Sequence, residues 1–223
     1  MIPWKADLIT LHPEAFPGAL GVGVLGRALK RNVWQLQLHD LRTFGVGPHR
    51  NVDDTPAGGG AGMVMRADVA LAALDTIAPA GRMTVYPSPR GRLFDAQEAA
   101  RWASLPGVIV LCGRFEGVDE RIFARRAVHE VSLGNFILCG GEAAAAAMIE
   151  ASVRLLPAVT GNPDSIVHES FTDDGLPEHA QYTRPQVVEG LPIPAALTGG
   201  NHAAVSALRS GSSRKAARRF AEK

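Results

Sequence analysis

Short apolar runs alternate along the chain with stretches in which apolar residues recur every three or four positions. A continuous apolar run such as Val108–Leu111 is typical of a strand buried on both faces, whereas the spacing over Ala67–Ile77 predicts a helix. The same patterns predict strands at Asp7–Leu11, Val33–His39 and Met83–Tyr86, and helices at Val24–Arg31, Ala96–Leu105, Asp119–Arg126 and Gly141–Leu156. This alternation predicts an α/β fold with a mostly parallel sheet covered by helices.

The composition changes after the last of these helices. Residues 160–178 combine two glycines and two prolines with five carboxylates, which is typical of a flexible acidic linker. Beyond it, Arg184–Gly190 and Ala203–Phe220 have helical patterns. We therefore expect three parts: a sheet domain over 1–159, a linker over 160–178 and a small helical domain over 179–223.

Charge and cysteine usage narrow the class of protein. Lys and Arg total 23 against 22 Asp and Glu, so the overall balance indicates no polyanionic partner. From Ser206 onward, however, the sequence has six basic residues and one acidic residue, Glu222, which suits either a nucleic-acid contact or a solvated helix.

Cys112 and Cys139 form no CxxC pair, and no apolar run is long enough to span a membrane. With no signal-peptide pattern at the N-terminus, we expect a reduced, cytoplasmic protein.

Two glycine runs could approach a ligand. Gly21-Val-Gly23-Val-Leu-Gly26 matches the dinucleotide fingerprint, but it does not directly follow the first strand, so a turn that starts a packed helix is favoured. Gly58–Gly62 lacks the lysine of a phosphate-binding loop and is either a flexible connection or a close backbone approach to a ligand.

Three further glycine-bearing turns each follow a predicted strand: Tyr86–Gly91, Leu111–Gly117 and Leu133–Gly141. Ligands of parallel α/β sheets bind at the carboxyl ends of the strands. Each turn alone is weak evidence, but together they predict a site for an adenosine with a short charged tail.

The chain resembles, over nearly all its length, the bacterial tRNA (guanine-N1)-methyltransferases of the SPOUT class, the TrmD family. The most specific shared segment is Cys112-Gly-Arg-Phe-Glu-Gly-Val-Asp-Glu-Arg121. Others are Gly26-Arg-Ala28, Val52-Asp-Asp54, Gly58–Met63, Ser88-Pro89, Gly91-Arg92, Gly140-Gly-Glu142, Ser170-Phe171, Tyr182-Thr-Arg-Pro185 and Gly200-Asn-His202.

The resemblance implies a deep trefoil knot in the sheet domain, which general rules of chain topology do not predict. It also implies a homodimer with active sites at the subunit interface, S-adenosyl-L-methionine as methyl donor, and a tRNA with guanosine at position 37, just 3′ of the anticodon, as substrate. The residues it assigns to the donor are Tyr86, Pro87, Ser88, Pro89, Gly91, Gly113, Arg114, Glu116, Gly117, Leu133, Gly134, Asn135, Phe136, Ile137, Leu138, Gly140 and Gly141.

Two residues are assigned to catalysis by the same resemblance. Arg154 matches the arginine that stabilises guanine O6, and Glu169 stands where the family has an aspartate as general base. Without the resemblance, the favoured interpretation of Arg154 is a helix-surface pair with Glu150, and that of Glu169 is a solubilising carboxylate of the linker. The residues assigned to the RNA substrate are Asp53, Gly58, Gly59, Gly62, Ser170 and Glu178.

The resemblance implies that the enzyme requires magnesium, and Glu116 is a candidate ligand for it. The histidines and carboxylates, however, show no metal-ligand spacing. The C-terminal domain is shorter than is usual in the family. The alternatives are a related methyltransferase acting on another RNA, an RNA-binding module without catalysis, and a nicotinamide oxidoreductase.

Overall fold

The computed structural model describes residues 2–77, 82–161, 169–171 and 175–221. The chain divides into two compact units, Met1–Gly161 and Asn162–Lys223. Most of the predicted linker, residues 162–168 and 172–174, lies outside the described residues, as do Glu222 and Lys223 of the basic C-terminal region. Among the described residues, no helix is both long and apolar enough to cross a membrane.

A five-stranded sheet forms the centre of the first unit. Its strands are β1 (Trp4–Thr10), β2 (Trp34–Asp40), β5 (Met83–Leu93), β6 (Gly107–Leu111) and β7 (Val128–Ser132), in the order β2-β1-β6-β5-β7. All four neighbouring pairs are parallel, which confirms the predicted α/β class and parallel sheet. Two short strands, β3 (Asp53–Asp54) and β4 (Val64–Met65), form an antiparallel pair around the second glycine run.

Helices cover both faces of this sheet. They are α1 (Gly23–Lys30), α2 (Ala67–Ile77), α3 (Ala96–Ser104), α4 (Arg121–Arg125) and α5 (Gly141–Val153). Val108 and Val110 of β6 belong to the core shared with α1, α3 and α5, whereas Ile109 and Leu111 belong to the core shared with α2 and α4. Every residue of β6 is buried, which explains why its sequence is apolar without alternation.

In the first unit, predicted and observed elements differ most at β5. The sequence predicts a strand ending at Tyr86, but β5 continues to Leu93 through Pro87 and Pro89. The pairing with β7 shifts register between Pro87 and Arg92, so this segment is a bulge. Prolines lack the backbone N–H that a ladder uses, and a bulge accommodates them, so a segment that reads as a turn remains extended.

The first glycine run begins α1, as the sequence favours. The helix starts at Gly23, and a Cβ at Gly26 would overlap the Gly21 carbonyl oxygen. The glycines therefore permit close backbone packing.

A buried carboxylate lies in the middle of β1. Asp7 is 1% exposed and shares a hydrogen bond of 2.7 Å with His39 Nε2, while Arg82 Nη1 donates to it at 2.5 Å. Burial raises the pKa of Asp7, but the bonds to His39 and Arg82 outweigh burial and hold that pKa below its usual value. Asp7 therefore stays charged inside the sheet.

The helix predicted over Arg184–Gly190 in the second unit is wrong. The segment contains β8 (Val187–Val188), which pairs antiparallel with β9 (Leu191–Pro192). Glu189 and Gly190 between them have φ values of 51° and 80°, the two positive values of a tight hairpin turn. The second predicted helix is present as α6 (His202–Ala221), where the Asn201 side chain accepts hydrogen bonds from the Ala203 and Ala204 amides.

Candidate active site

A cavity of about 260 Å³ lies at the bulge of β5 and at the turns that follow β6 and β7. We call the bulged segment 86–91 of β5 the first turn. The turns that follow β6 and β7 are the second turn (112–117) and the third turn (133–141). Because β5 lies between β6 and β7 in the sheet, the three turns meet at one place. The residues lining the cavity are Tyr86, Pro87, Ser88, Pro89, Gly113, Arg114, Phe115, Glu116, Gly117, Val131, Ser132, Leu133, Gly134, Phe136, Ile137, Leu138, Cys139, Gly140, Gly141 and Ala144.

The first turn contributes a nearly buried tyrosine. Tyr86 is 6% exposed, and its ring packs edge-on against Phe123 with the centroids 5.7 Å apart. Burial, followed by the negative charge of Glu130, raises the pKa of Tyr86 to about 12. The phenol therefore remains protonated at neutral pH and is a hydrogen-bond donor rather than a base.

The second turn contacts the first through a glycine. A Cβ at Gly113 would overlap the Tyr86 hydroxyl, so only glycine allows the two turns to approach this closely. Gly117 has a φ of 123°, a conformation that L side chains rarely adopt. The wall of the cavity is consequently largely backbone here, with N–H and C=O groups close to any bound molecule.

The second glycine run is bound to the second turn. Glu116 N donates to the Met63 carbonyl at 2.9 Å, and Met65 N donates to the Gly117 carbonyl at 2.9 Å. A Cβ at Gly62 would lie 2.5 Å from Glu116 Cγ. The loop that carries Gly58, Gly59 and Gly62 is thus held beside the cavity, and Asp53 on β3 lies at its base.

The third turn presents apolar side chains to solvent at the cavity. Phe136, Ile137 and Leu138 are 54%, 80% and 42% exposed. Gly141 N donates to the Gly113 carbonyl at 2.8 Å, which joins the third turn to the second. Exposed apolar residues in one short segment favour contact with a ligand or another protein surface.

Most residues predicted to bind the donor line this cavity, and two do not: Gly91 and Asn135. A Cβ at Gly91 would overlap the Val131 amide, so this glycine allows β5 to pack on β7. Asn135 is exposed at the tip of the third turn. Five lining residues were missed: Phe115, Val131, Ser132, Cys139 and Ala144. Phe115, Ser132 and Cys139 are chain neighbours of predicted residues, and Val131 lies two positions before Leu133. Ala144 follows Gly141 by about one turn of α5, so helical periodicity could have found it.

The two predicted catalytic residues belong to different units. Arg154 caps the C-terminal end of α5, where it is half-buried and its amide donates to the Glu150 carbonyl at 3.1 Å. Glu169 belongs to the second unit and is also half-buried. The structure brings Ser170 and Glu178 together, because Glu178 N donates to Ser170 Oγ at 2.8 Å.

Comparison with known proteins adds the decisive observation. The model of the family described as tRNA (Guanine-1)-methyltransferase TrmD matches residues 4–221. The chain belongs to this family.

Individual TrmD-family relatives are similar over almost the whole chain. A protein of Roseobacter denitrificans is 54% identical over 215 residues, which are 95% of this chain and 89% of that protein. Proteins of Gluconobacter oxydans and Rhodopseudomonas palustris are 52% and 51% identical, over 92% and 97% of this chain and 88% and 86% of the relatives. All three are named tRNA (guanine-N(1)-)-methyltransferase.

TrmD-family membership confirms the resemblance and the predicted class of enzyme, an RNA methyltransferase. It argues against the nicotinamide oxidoreductase, which rested on the first glycine run alone. The matched region includes all three turns, the glycine loop and both predicted catalytic residues.

Proposed function

We propose that this TrmD-family chain transfers the methyl group of S-adenosyl-L-methionine to N1 of guanosine 37 of tRNA. The observation that carries the proposal is the cavity at the three glycine-bearing turns, in a chain whose relatives bear the name of that reaction. The sulfonium of the donor supplies an activated methyl group, so the protein has to position two reactants and manage one proton.

The cavity suits a nucleoside with a charged tail. Backbone amides and carbonyls of the second and third turns can recognise base and ribose without side chains, while Leu133, Leu138 and Val131 offer apolar surface for an adenine ring. The Glu116 carboxylate adds negative charge on the same wall, which favours a cationic sulfonium or amine.

The acceptor chemistry requires a base and a cation. Guanine N1 carries a proton at neutral pH, and its removal places negative charge on O6. We assign proton removal to Glu169 and stabilisation of O6 to Arg154. The N1 electron pair then forms the bond to the methyl carbon, the bonding pair of the sulfonium stays on sulfur, and the proton remains on Glu169. Glutamate keeps the carboxylate of the family's aspartate on a longer arm.

We extend the proposal to the domain organisation and the oligomeric state of the enzyme. We infer a trefoil-knotted domain over residues 1–159, a linker over 160–178 and a small tRNA-binding domain over 179–223. We also infer a homodimer in which the linker of one subunit supplies Glu169, Ser170 and Glu178 to the donor cavity of the other. The exposed apolar side chains of the third turn support such an interface. Because tRNA is its substrate, we place the enzyme in the cytoplasm.

The exposed basic side chains of α6 suit the phosphate backbone of tRNA. Arg209, Arg214, Lys215 and Arg218 are all exposed on this helix. Such cations bind phosphates without reading sequence, and their contribution decreases as salt increases. We propose that they hold the tRNA while Asp53 and the glycine loop contact the bases near position 37.

Magnesium enters no step of this proposal. Within the described part of the chain, no group of three or more His, Cys, Asp or Glu side chains is placed to hold a metal ion. Glu116, the candidate from the resemblance, lies against the Gly62 backbone.

In vitro methylation of an unmodified tRNA transcript with labelled S-adenosyl-L-methionine tests the function. We expect N1-methylguanosine in the digested product, and no label in a transcript whose guanosine 37 is replaced by adenosine. Methylation of both transcripts, or label on another base, would support a related methyltransferase with a different RNA target. Donor binding without label in either transcript would support a non-catalytic RNA-binding module.

A further inference from the structure

Three segments that are far apart in the chain meet through their side chains next to the cavity. Thr10 is the last residue of β1, Arg114 lies in the second turn, and Glu142 lies in the first turn of α5. Thr10 Oγ1 donates to Glu142 Oε1 at 2.7 Å, and Arg114 Nη2 lies 2.9 Å from Glu142 Oε2. One carboxylate therefore connects β1, the second turn and the segment that follows the third turn.

This cluster is protected from water. Thr10 is fully buried, and the Glu142 and Arg114 side chains are 7% and 26% exposed. A buried carboxylate is stable only when its charge is matched, so Arg114 cannot leave Glu142 without leaving an unpaired charge. The Thr10 hydroxyl also accepts from the His12 amide at 2.9 Å, which orients its own proton toward Glu142.

Arg114 also holds the third turn directly. Its Nη1 donates to the Cys139 carbonyl at 3.3 Å, and a Cβ at residue 140 would lie only 2.3 Å from its Nε. Gly140 has a φ of 177°, an extended conformation open to any residue, so the guanidinium rather than the backbone requires glycine there. Most of this guanidinium therefore faces protein atoms.

We propose that Arg114 and Glu142, with Thr10 orienting Glu142, are positioning residues that fix the third turn against the second turn before the donor binds. This rests on the proposed function, and it assigns Arg114 a role different from the donor contact that the sequence predicts. The pair acts through Cys139, Gly140 and Gly141, whose backbone lines the cavity. Pre-forming that wall removes the cost of ordering it when the donor binds.

The test uses the full-length chain and measures donor binding apart from turnover. Glu142→Gln keeps the shape of the side chain and removes its charge. We expect the Kd for S-adenosylhomocysteine, by calorimetry, and the KM for S-adenosyl-L-methionine to rise about tenfold, as for loss of one charge-assisted contact. The kcat and the KM for tRNA should change less than about twofold, because the lost interaction serves ground and transition states equally. Arg114→Lys, which keeps the charge but not the fork, should cause a smaller rise than Arg114→Gln.

Two further variants keep the result interpretable. Arg126→Gln removes an exposed pair with Asp75 on the opposite face of the sheet and should keep the wild-type donor Kd. If Glu142→Gln fails to fold by circular dichroism, Thr10→Val is the milder change, because it keeps the Arg114–Glu142 ion pair and removes the Thr10 hydroxyl that bonds Glu142 and the His12 amide. Its donor Kd should rise about threefold. A donor Kd within twofold of wild type in folded Thr10→Val, or a fall in kcat with unchanged donor KM in Glu142→Gln, would overturn the inference. Failure of the wild-type chain to bind either S-adenosyl-L-methionine or its demethylated product S-adenosylhomocysteine would instead count against the proposed function.

Discussion

The cavity at the three turns and the segment that carries Glu169 belong to different units of the chain. The three turns of the cavity are joined by bonds between distant residues, such as Glu116 to Met63 and Gly141 to Gly113. Near Glu169 the structure describes two bonds within the second unit, from Glu178 N to Ser170 Oγ and from Phe171 N to the Leu176 carbonyl. The proposed methyl donor site is therefore part of the sheet domain, whereas the proposed base belongs to a separate unit.

This difference indicates an order of events. A site held by long-range contacts can bind its ligand without rearrangement. We propose that the carboxylate of Glu169, which belongs to the other unit, reaches N1 only when tRNA is bound. Substitutions that weaken binding of the methyl donor should therefore differ from those that prevent Glu169 from accepting the N1 proton.

The largest effect should come from Glu169→Gln, which removes the proposed base. We expect kcat to fall by about 10² to 10⁴, the usual contribution of a general base, while the Kd for S-adenosylhomocysteine stays unchanged. Single-turnover methylation and calorimetry measure the two quantities. Glu189→Gln is the matched control, because it makes the same change in the exposed β8–β9 turn and should retain full activity. A near wild-type kcat in Glu169→Gln would show that another group accepts the proton.

A smaller effect, on stability alone, is expected from Asp7→Asn. Since the folded pKa of Asp7 is lowered, its contribution is complete above the ordinary carboxyl pKa and is lost as the pH falls through the folded value. Asp7→Asn should cost about 2 kcal/mol of unfolding free energy at pH 7, because Arg82 and His39 lose a charged partner, and the difference should shrink below about pH 4. Urea titrations at several pH values measure this.

The matched control for that titration is Asp75→Asn. Its ion pair with Arg126 is exposed, so the change should alter unfolding free energy by less than about 1 kcal/mol at any pH. An Asp7→Asn difference that stayed constant down to pH 3 would contradict the charge argument.

Contact between the first and second turns can be probed through Gly113→Ala. The added Cβ overlaps the Tyr86 hydroxyl, so we expect the donor Kd to rise about tenfold while a tRNA gel shift remains unchanged. Adding Tyr86→Phe removes the overlapping oxygen and should recover part of the loss. Gly211→Ala, at an open position in α6, is the control for donor binding. The absence of any recovery in the double variant would mean that another clash dominates.

The smallest effect should follow from the double change Arg214→Gln and Arg218→Gln on α6. We expect the KM for tRNA to rise only a few-fold at physiological salt, with a shallower dependence of binding on salt, because two phosphate contacts are lost. The donor Kd should be unaffected. Filter binding at several salt concentrations gives the slope, and an unchanged slope would exclude phosphate contacts by these two residues.

The sequence predicts elements well where one local rule dominates. Ala67–Ile77 is a helix with the predicted bounds, and the predicted strand Val108–Leu111 differs from β6 by one residue, because periodicity or its absence reports burial directly. The sequence predicts that β5 ends at Tyr86 because Pro87 and Pro89 are typical of a turn. It does not predict the β8–β9 hairpin because the two valines before Glu189-Gly190 also fit a helix. In both segments, hydrogen bonding to a neighbouring strand determines the structure that forms.

The candidate site could be predicted in part. The position of the three turns after strands indicated where a ligand would bind, and the resemblance assigned roles to Arg154 and Glu169. The Thr10–Glu142 bond joins residues 132 positions apart, so no local pattern could reveal it or the role of Arg114. The glycine requirement at 140 likewise depends on a side chain from another segment.

The strand order also has a consequence for biosynthesis. β1 is hydrogen-bonded to β6, with Lys5 opposite Gly107, so one edge of the first strand has no partner until β6 has left the ribosome. At about 5 to 20 residues per second, the nascent chain waits roughly 5 to 20 seconds with that edge open. An unpaired apolar strand edge favours aggregation, so we expect the emerging chain to require chaperone protection during translation.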